Sequence, residues 1–271
     1  MFLSKLLLNH LSKKSKTLSK IITFLLISFS LSACVTTQAP KIAHVHVGHA
    51  MTAWRDTPNE QGLFIIAEKE AVIAFEHAQY AVENAHDVKL VKMHIKHVQH
   101  AMNPTLSLGK GEDGPGLGYG LIKAINSSND HISFAADSKD ASDNIKMSAQ
   151  KWQKNVAVIV ERNELIVTIT QAILKSSSHE EIIVLAEETK LLTGQNLNGY
   201  DSDDDGTIGN VKEDFGIKQL KAELNTMIAK EDPPYQTVEK KYLFGLIRLP
   251  SGEWIFNFGN NTNNSSGGFQ Y

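Results

Sequence analysis

A run of residues spaced four and three apart constrains this chain more than any other feature: Ile145, Ala149, Trp152, Val156, Ile159, Asn163, Ile166, Thr170 and Ile173. Such spacing keeps one stripe of a helix turned towards a partner. It predicts a single helix of over about thirty residues, roughly 45 Å or more in length. A rod of that length cannot bury its stripe against itself, so it needs other helices beside it. The expected fold class is therefore mostly α, a helical bundle. Two positions in the stripe, Asn163 and Thr170, are polar. A polar residue there sets the register of a helix pair or marks a local functional contact.

Other segments supply the partners. From Gly62 to Glu83, Phe64, Ala67, Ala71, Ala74, Phe75, Ala78, Ala81 and Val82 fall on one face, and the alanines allow a neighbouring helix to come close. A break is expected at Asn84–Asp87, then a helix from Val88 to Met102, stopped by Asn103-Pro104. A poorly patterned helix is expected over about 117–136. Ser178-His179-Glu180-Glu181 has the form of a capping box, opening a helix to about Thr193. After the loop NGYDSDDDGTIGN, a helix is expected from about Glu213 to Lys230. Residues 109–120 are glycine-rich and contain the spacing Gly109-x-Gly111-x-x-Gly114 of a dinucleotide fingerprint. No strand precedes it and no βαβ unit surrounds it, so it reads as a connection. Residues 241–258 have the pattern of a small β-hairpin turning at Pro250-Ser251-Gly252, and 259–271 the composition of a disordered tail.

The chain opens with five lysines and no acid in its first 20 residues, followed by the apolar run Ile21–Ala33. That arrangement predicts a secretory signal over residues 1–33, outside the fold. Its end, Leu31-Ser32-Ala33-Cys34, resembles the lipobox of bacterial lipoproteins. The resemblance implies cleavage before Cys34, diacylglycerol on its thiol and usually an acyl chain such as palmitate on the new amino group. Several chains would anchor the protein stably. Val35 in place of an acid after the cysteine implies outer-membrane sorting in a Gram-negative cell. Residues 34–61 then read as a tether and histidine-rich segment, with His44-x-His46-x-x-His49 taken as a loop or short extended piece, and 62–240 as the bundle.

Cys34 is the only cysteine, so the mature chain has no disulfide and no thiolate metal site. Any metal must sit on His, Asp or Glu. Losing residues 1–33 removes five lysines and no acid, so the formal charge of −3 becomes −8. That balance argues against nucleic acid as a partner and suits cations. The membrane is reached through the lipid, and no protein partner is indicated.

Asp201-Ser202-Asp203-Asp204-Asp205-Gly206-Thr207-Ile208 resembles the calcium loop of EF-hands and dockerins. The resemblance implies side-chain oxygens from Asp201, Asp203 and Asp205, a turn at Gly206, the Thr207 carbonyl, and Ile208 pinned to the core. Lys212 stands where the family has its bidentate acid; Glu213 and Asp214 come next, so a loop longer by one residue can close with an acid, and Glu213 is taken as the ligand of a loop over 199–213. The implied ion is Ca²⁺.

KMHIKHVQHAM (92–102) carries histidine at every third position. On a helix these wind round the axis: His94 faces inward, His97 sits at the boundary and His100 turns to solvent. Folded as an antiparallel hairpin with its turn near Ala85, the two helices bring His77 and His94 to nearly the same height, with His97 beside them. Glu70 lies close to the same stripe. Neutral imidazoles suit zinc, copper, nickel or iron, and two opposed ones suit haem. In the upstream cluster, His44 and His46 share a face if the segment is extended. No nucleophile–base constellation is visible, and no catalytic residue is assigned. The chain reads as a lipid-anchored envelope protein that binds metal, with calcium at the aspartate loop and a transition metal on His44, His46, His49, His77, His94 or His97. The rivals are a structural or interaction lipoprotein stiffened by calcium, and a histidine-ligated haem or metal redox protein.

Overall fold

The structure is a computed structural model that describes residues 41–106 and 114–235. Among the described residues seven α-helices follow one another: α1 (Ile42–Met51), α2 (Leu63–Glu83), α3 (Val88–Met102), α4 (Leu121–Asp137), α5 (Asp143–Lys175), α6 (His179–Asn198) and α7 (Ile217–Ala229). Short 3-10 turns occur at Pro58–Glu60, Pro104–Leu106 and Lys212–Asp214. The fold is mostly helical, a bundle, with no strand among the described residues. None of these helices is long and apolar enough to cross a membrane. The lipobox cysteine, the expected hairpin and the expected tail lie outside the described residues.

The 33-residue α5 is the long rod the sequence requires, and every position of its stripe from Ile145 to Ile173 is buried. It packs against α3, α4, α6 and α7. The two polar stripe positions have different roles. The Asn163 Oδ1 accepts from the Asn196 Nδ2 on α6 at 2.7 Å, a contact that fixes the register of the pair. The Thr170 hydroxyl donates to the Val167 carbonyl at 2.8 Å and so satisfies itself within its own helix. Nearby, the buried Arg162 donates to the Gln195, Glu213 and Phe215 carbonyls, tying the end of α6 to the approach of α7.

Helix α2 is the hub. It touches α1, α3, α4, α6 and α7, and its alanines at 67, 71, 74, 78 and 81 are all buried. Side chains this small let several neighbours approach one helix. Caps set the ends: the Asp87 carboxylate accepts from the Lys89 and Leu90 amides, the Ser142 hydroxyl from the Ile145 amide, and the Ser178 hydroxyl from the Glu181 amide.

The buried Glu70 of α2 sits at the start of α4. Its Oε1 accepts from the amides of Leu117, Tyr119 and Gly120 at 3.1, 3.3 and 3.0 Å. The carboxylate thus satisfies backbone donors that open α4 and lies where the helix dipole favours negative charge.

The structure corrects the sequence expectation at several boundaries. The segment around His44–His49 is helical, not a loop. The alternating His-Val-His-Val reads as period two, but Ala43, Val47 and Ala50 recur at four and three and are the buried side. Asp140, from the turn between α4 and α5, accepts from the Ile42 and Ala43 amides and caps this helix from outside. Beyond α1, a Cβ on Gly62 would lie 2.6 Å from the backbone of Ala50, Met51 and Thr52, so glycine is required for the chain to turn into α2. Helix α6 continues past Thr193 to Asn198, and α7 begins at Ile217 instead of Glu213. Ile208 does not enter the core; it is about half exposed, 46 %.

Candidate metal centres

The α2–α3 hairpin places His77 six residues before its turn-side end and His94 six residues after the turn. Their Nδ1 atoms lie 3.0 Å apart, and the Nδ1 of His97 lies 3.4 Å from that of His77. The rings of His77 and His94 stack with centroids 5.3 Å apart, and His97 meets His77 edge-on at 4.7 Å. Tyr80 packs against both His77 and His94. On α3, Lys92 donates to the Leu174 and Ser176 carbonyls at the end of α5, which holds the helix that carries two of the three histidines.

Hydrogen bonding alone does not satisfy this arrangement. The Nδ1 of a neutral imidazole carries either one proton or one in-plane lone pair. At His77 it can therefore make a hydrogen bond with one of its two nitrogen neighbours, not both. A cation at the common point accepts all three lone pairs. For tetrahedral ligands at about 2.05 Å, the separation between nitrogens is about 3.3 Å, close to the 3.0 and 3.4 Å found. Two of the histidines are also in the right state. Burial lowers the His77 pKa to about 4, with the neighbouring His97 and His94 adding to the effect. Burial also lowers that of His94, partly offset by Glu83. These rings are neutral at pH 7, and neutral imidazole is the form that binds metal. Rings in mutual contact leave no slot for a macrocycle between them, so the geometry suits a bare ion rather than haem.

The upstream histidines separate. On helical α1, His46 and His49 lie one turn apart on one side, and both face His131 of α4. The His131 Nδ1 lies 3.1 Å from that of His46 and 3.4 Å from that of His49. Burial lowers the pKa of His49 to about 3, with repulsion from His131 and His46 adding to it, and burial lowers that of His131 to about 4, with His46 adding and Asp56 opposing. His46 is lowered by burial against the pull of Asp140. Trp54 packs on His49 and His131 with centroids 4.7 and 4.6 Å away. His44 does not join them, because it points to the other side of the helix. Its Nε2 lies 2.8 Å from the buried Glu231, whose carboxylate also accepts from Ser142 and Asn144. Reading the segment as extended paired His44 with His46; a helix pairs His46 with His49 instead.

Glu70, near the His77 stripe in sequence, is likewise absent from the centre and serves the α4 backbone. His100 stacks over the glycine backbone at 114–116, where a Cβ on Gly116 would lie 2.8 Å from its ring.

In the loop between α6 and α7, carboxylate oxygens of Asp201, Asp203 and Asp205 come within 4.8 Å of one another. Gly206 adopts φ +83°, the left-handed turn glycine allows. Asp201 accepts from the Asp205 and Gly206 amides, and Asp205 accepts from that of Thr207. Glu213 is not brought to the group: it faces Lys212 at 3.3 Å. The acid that closes the loop is Asp214. It accepts from the Ser202 hydroxyl and from the amides of Ser202, Gly209 and Asn210; the Ser202 hydroxyl first, then the amides of Ser202, Gly209 and Val211, outweigh burial and hold its pKa well below the usual carboxylate range.

Both the histidine clusters and the aspartate cluster can hold a metal ion. The sequence signal for the second histidine group was His-x-x-His within a helix. His131, alone on its segment, carried none. No protein-family model, curated protein or solved structure matches the chain.

Proposed function

We propose that this protein is a lipid-anchored envelope protein that binds a transition-metal ion between α2 and α3, with His77, His94 and His97 as ligands. The observation that carries the reading is the convergence of the His94 and His97 Nδ1 atoms on that of His77, at 3.0 and 3.4 Å, with no proton arrangement that satisfies both contacts. An all-nitrogen ligand set selects zinc, cobalt, nickel or copper over magnesium and calcium. Three protein ligands leave a fourth position for water or a small anion. The anchoring part of the reading rests on the basic leader, the apolar run and Leu31-Ser32-Ala33-Cys34.

The test is zinc titration of the full chain, purified without an affinity tag, against a chromophoric chelator. The His77→Ala variant is expected to lose one zinc equivalent at this centre. Retention of the same stoichiometry and affinity by that variant defeats the reading. Metabolic labelling with a fatty acid, compared with Cys34→Ser, tests the anchor.

A second ion, calcium at the aspartate loop, is supported by the proximity of three carboxylates and the left-handed Gly206. With Glu213 turned away, the bidentate ligand of the resembled loops is missing, so binding in the millimolar range is expected. Isothermal titration should give heat with calcium in the parent chain and none in Asp201→Ala.

A further inference from the structure

A second group of histidines repeats the ligand set of the first on unrelated helices. At the first centre, α3 supplies His94-x-x-His97 and α2 supplies His77. On the other pair, α1 supplies His46-x-x-His49 and α4 supplies His131. In each group the lone histidine is the hub. The Nδ1 separations are 3.0 and 3.4 Å at His77, and 3.1 and 3.4 Å at His131. The same proton count leaves one contact unsatisfied at each hub, and the same point between three nitrogens satisfies all of them with a cation.

The two groups lie towards opposite ends of α2. Trp54, packed on His131, donates its backbone amide to Gln61 just ahead of α2, whereas His77 lies about 21 Å along that helix from its start. The groups therefore cannot share one ion or form a binuclear site.

We propose that His46, His49 and His131 form a second, separate transition-metal centre, walled by Trp54, so that the chain holds two such ions. Acidic groups near it are occupied elsewhere. Asp140 caps α1, and Asp56 faces Lys123 at 3.5 Å and the Tyr119 hydroxyl at 3.4 Å. The ligand set is thus three neutral imidazoles, which again takes zinc, cobalt, nickel or copper. The ion also has a structural effect. A metal bond from the α1 histidines to His131 ties α1 to α4 across more than eighty residues of sequence.

Trp54 makes this centre separately readable. Of the chain's three tryptophans, Trp152 is buried against Phe64 in the core, and Trp254 lies outside the described residues. Cobalt(II), added to the full chain without a tag, serves as the probe: visible absorbance counts tetrahedral sites, and quenching reports proximity to an indole. Two equivalents are expected in the parent chain and one each in His131→Ala and His77→Ala. The Trp54-dependent part of the quenching, defined by its absence in Trp54→Phe, should persist in His77→Ala and vanish in His131→Ala. If His131→Ala disturbs folding, His46→Gln and His49→Ala, on the partly exposed side of α1, must each give the same loss.

One equivalent in the parent chain, with His131→Ala and His49→Ala unchanged in stoichiometry and quenching, overturns the second centre and leaves the α2–α3 centre standing. One equivalent that disappears in His131→Ala and survives His77→Ala supports this centre and sinks the other. Binding of no cobalt or zinc by the parent chain ends both.

Discussion

Replacing Glu70 with glutamine should destabilise the fold out of proportion to the one atom changed. In the structure its Oε1 accepts from the amides of Leu117, Tyr119 and Gly120, and its Oε2 lies 3.2 Å from the Leu117 amide. The group is fully buried. Hydrogen bonds to an ionised acceptor contribute about 1.5–3 kcal/mol each, against about 1 kcal/mol for neutral ones. Glutamine keeps one oxygen and makes it neutral. It also puts an NH₂ where Oε2 stood, facing amides that are themselves donors. Losing the charge on three bonds sums to about 2–4 kcal/mol. Glu70→Ala goes further, because it leaves three buried amides without an acceptor and opens a cavity, for a loss of about 5 kcal/mol or more.

For a domain of this size each kcal/mol moves the melting temperature by about 2–4 °C, so Glu70→Gln should melt about 4–16 °C lower. Thermal and urea unfolding followed by far-ultraviolet circular dichroism reads both variants at pH 7.5. A glutamine variant that melts within a degree of the parent would refute the reasoning, since the carboxylate would then not be carrying those donors. The same substitution also loosens the start of α4, the helix that bears His131. Cobalt affinity at the His46–His49–His131 group should therefore fall with it, and that at the His77 group should not.

Acid should weaken the metal-free protein before carboxylates titrate. His46, His49, His77, His94 and His131 have folded pKa values below the ordinary 6.5, at about 3–4 where they are most lowered, so the unfolded chain takes up protons first and stability falls as the pH drops from 6.5 towards 4. Urea midpoints at pH 7.5, 5.5 and 4.5 measure this. A chain with His77 and His131 both replaced should show a shallower fall, and an unchanged slope would count against buried neutral imidazoles. Asp214 acts in the same direction at lower pH: its folded pKa is depressed, so its contribution is present above pH 3.8 and is lost only under stronger acid. Asp214→Asn should leave the amides of Ser202, Gly209 and Asn210 with a weaker acceptor and increase proteolytic nicking of the 199–214 loop. Equal cleavage rates in parent and variant would show that the loop is not held from this residue. Arg162→Met, which removes the donors to three carbonyls, should lower the urea midpoint by an amount equal to about 3 kcal/mol, read by the same unfolding curves.

Spacing along the chain settled what spacing can settle. The stripe from Ile145 to Ile173 made a long helix and hence a bundle, because 3.6 residues per turn fixes which side chains share a face whatever they later meet. The hairpin at Asn84–Asp87 brought His77 level with His94 for the same reason: both lie a counted number of turns from one short connection. The aspartates at 201, 203 and 205 came together because a turn of a few residues closes on itself.

Where distance along the chain was large, the tertiary structure decided. His131 reaches His46 and His49 only because α4 packs along α1, and nothing local to residue 131 encodes that choice of neighbour. His44 went to Glu231, and Glu70 to the opening of α4, because a buried charged or polar group must take whichever partner the packing of remote helices presents. Asp214, not Glu213, closed the acidic loop because the 3-10 turn at Lys212–Asp214 rotates one carboxylate inward and the other out to Lys212. Periodicity is a property of neighbours in sequence, whereas a ligand set drawn from α1 and α4 depends on how those helices pack.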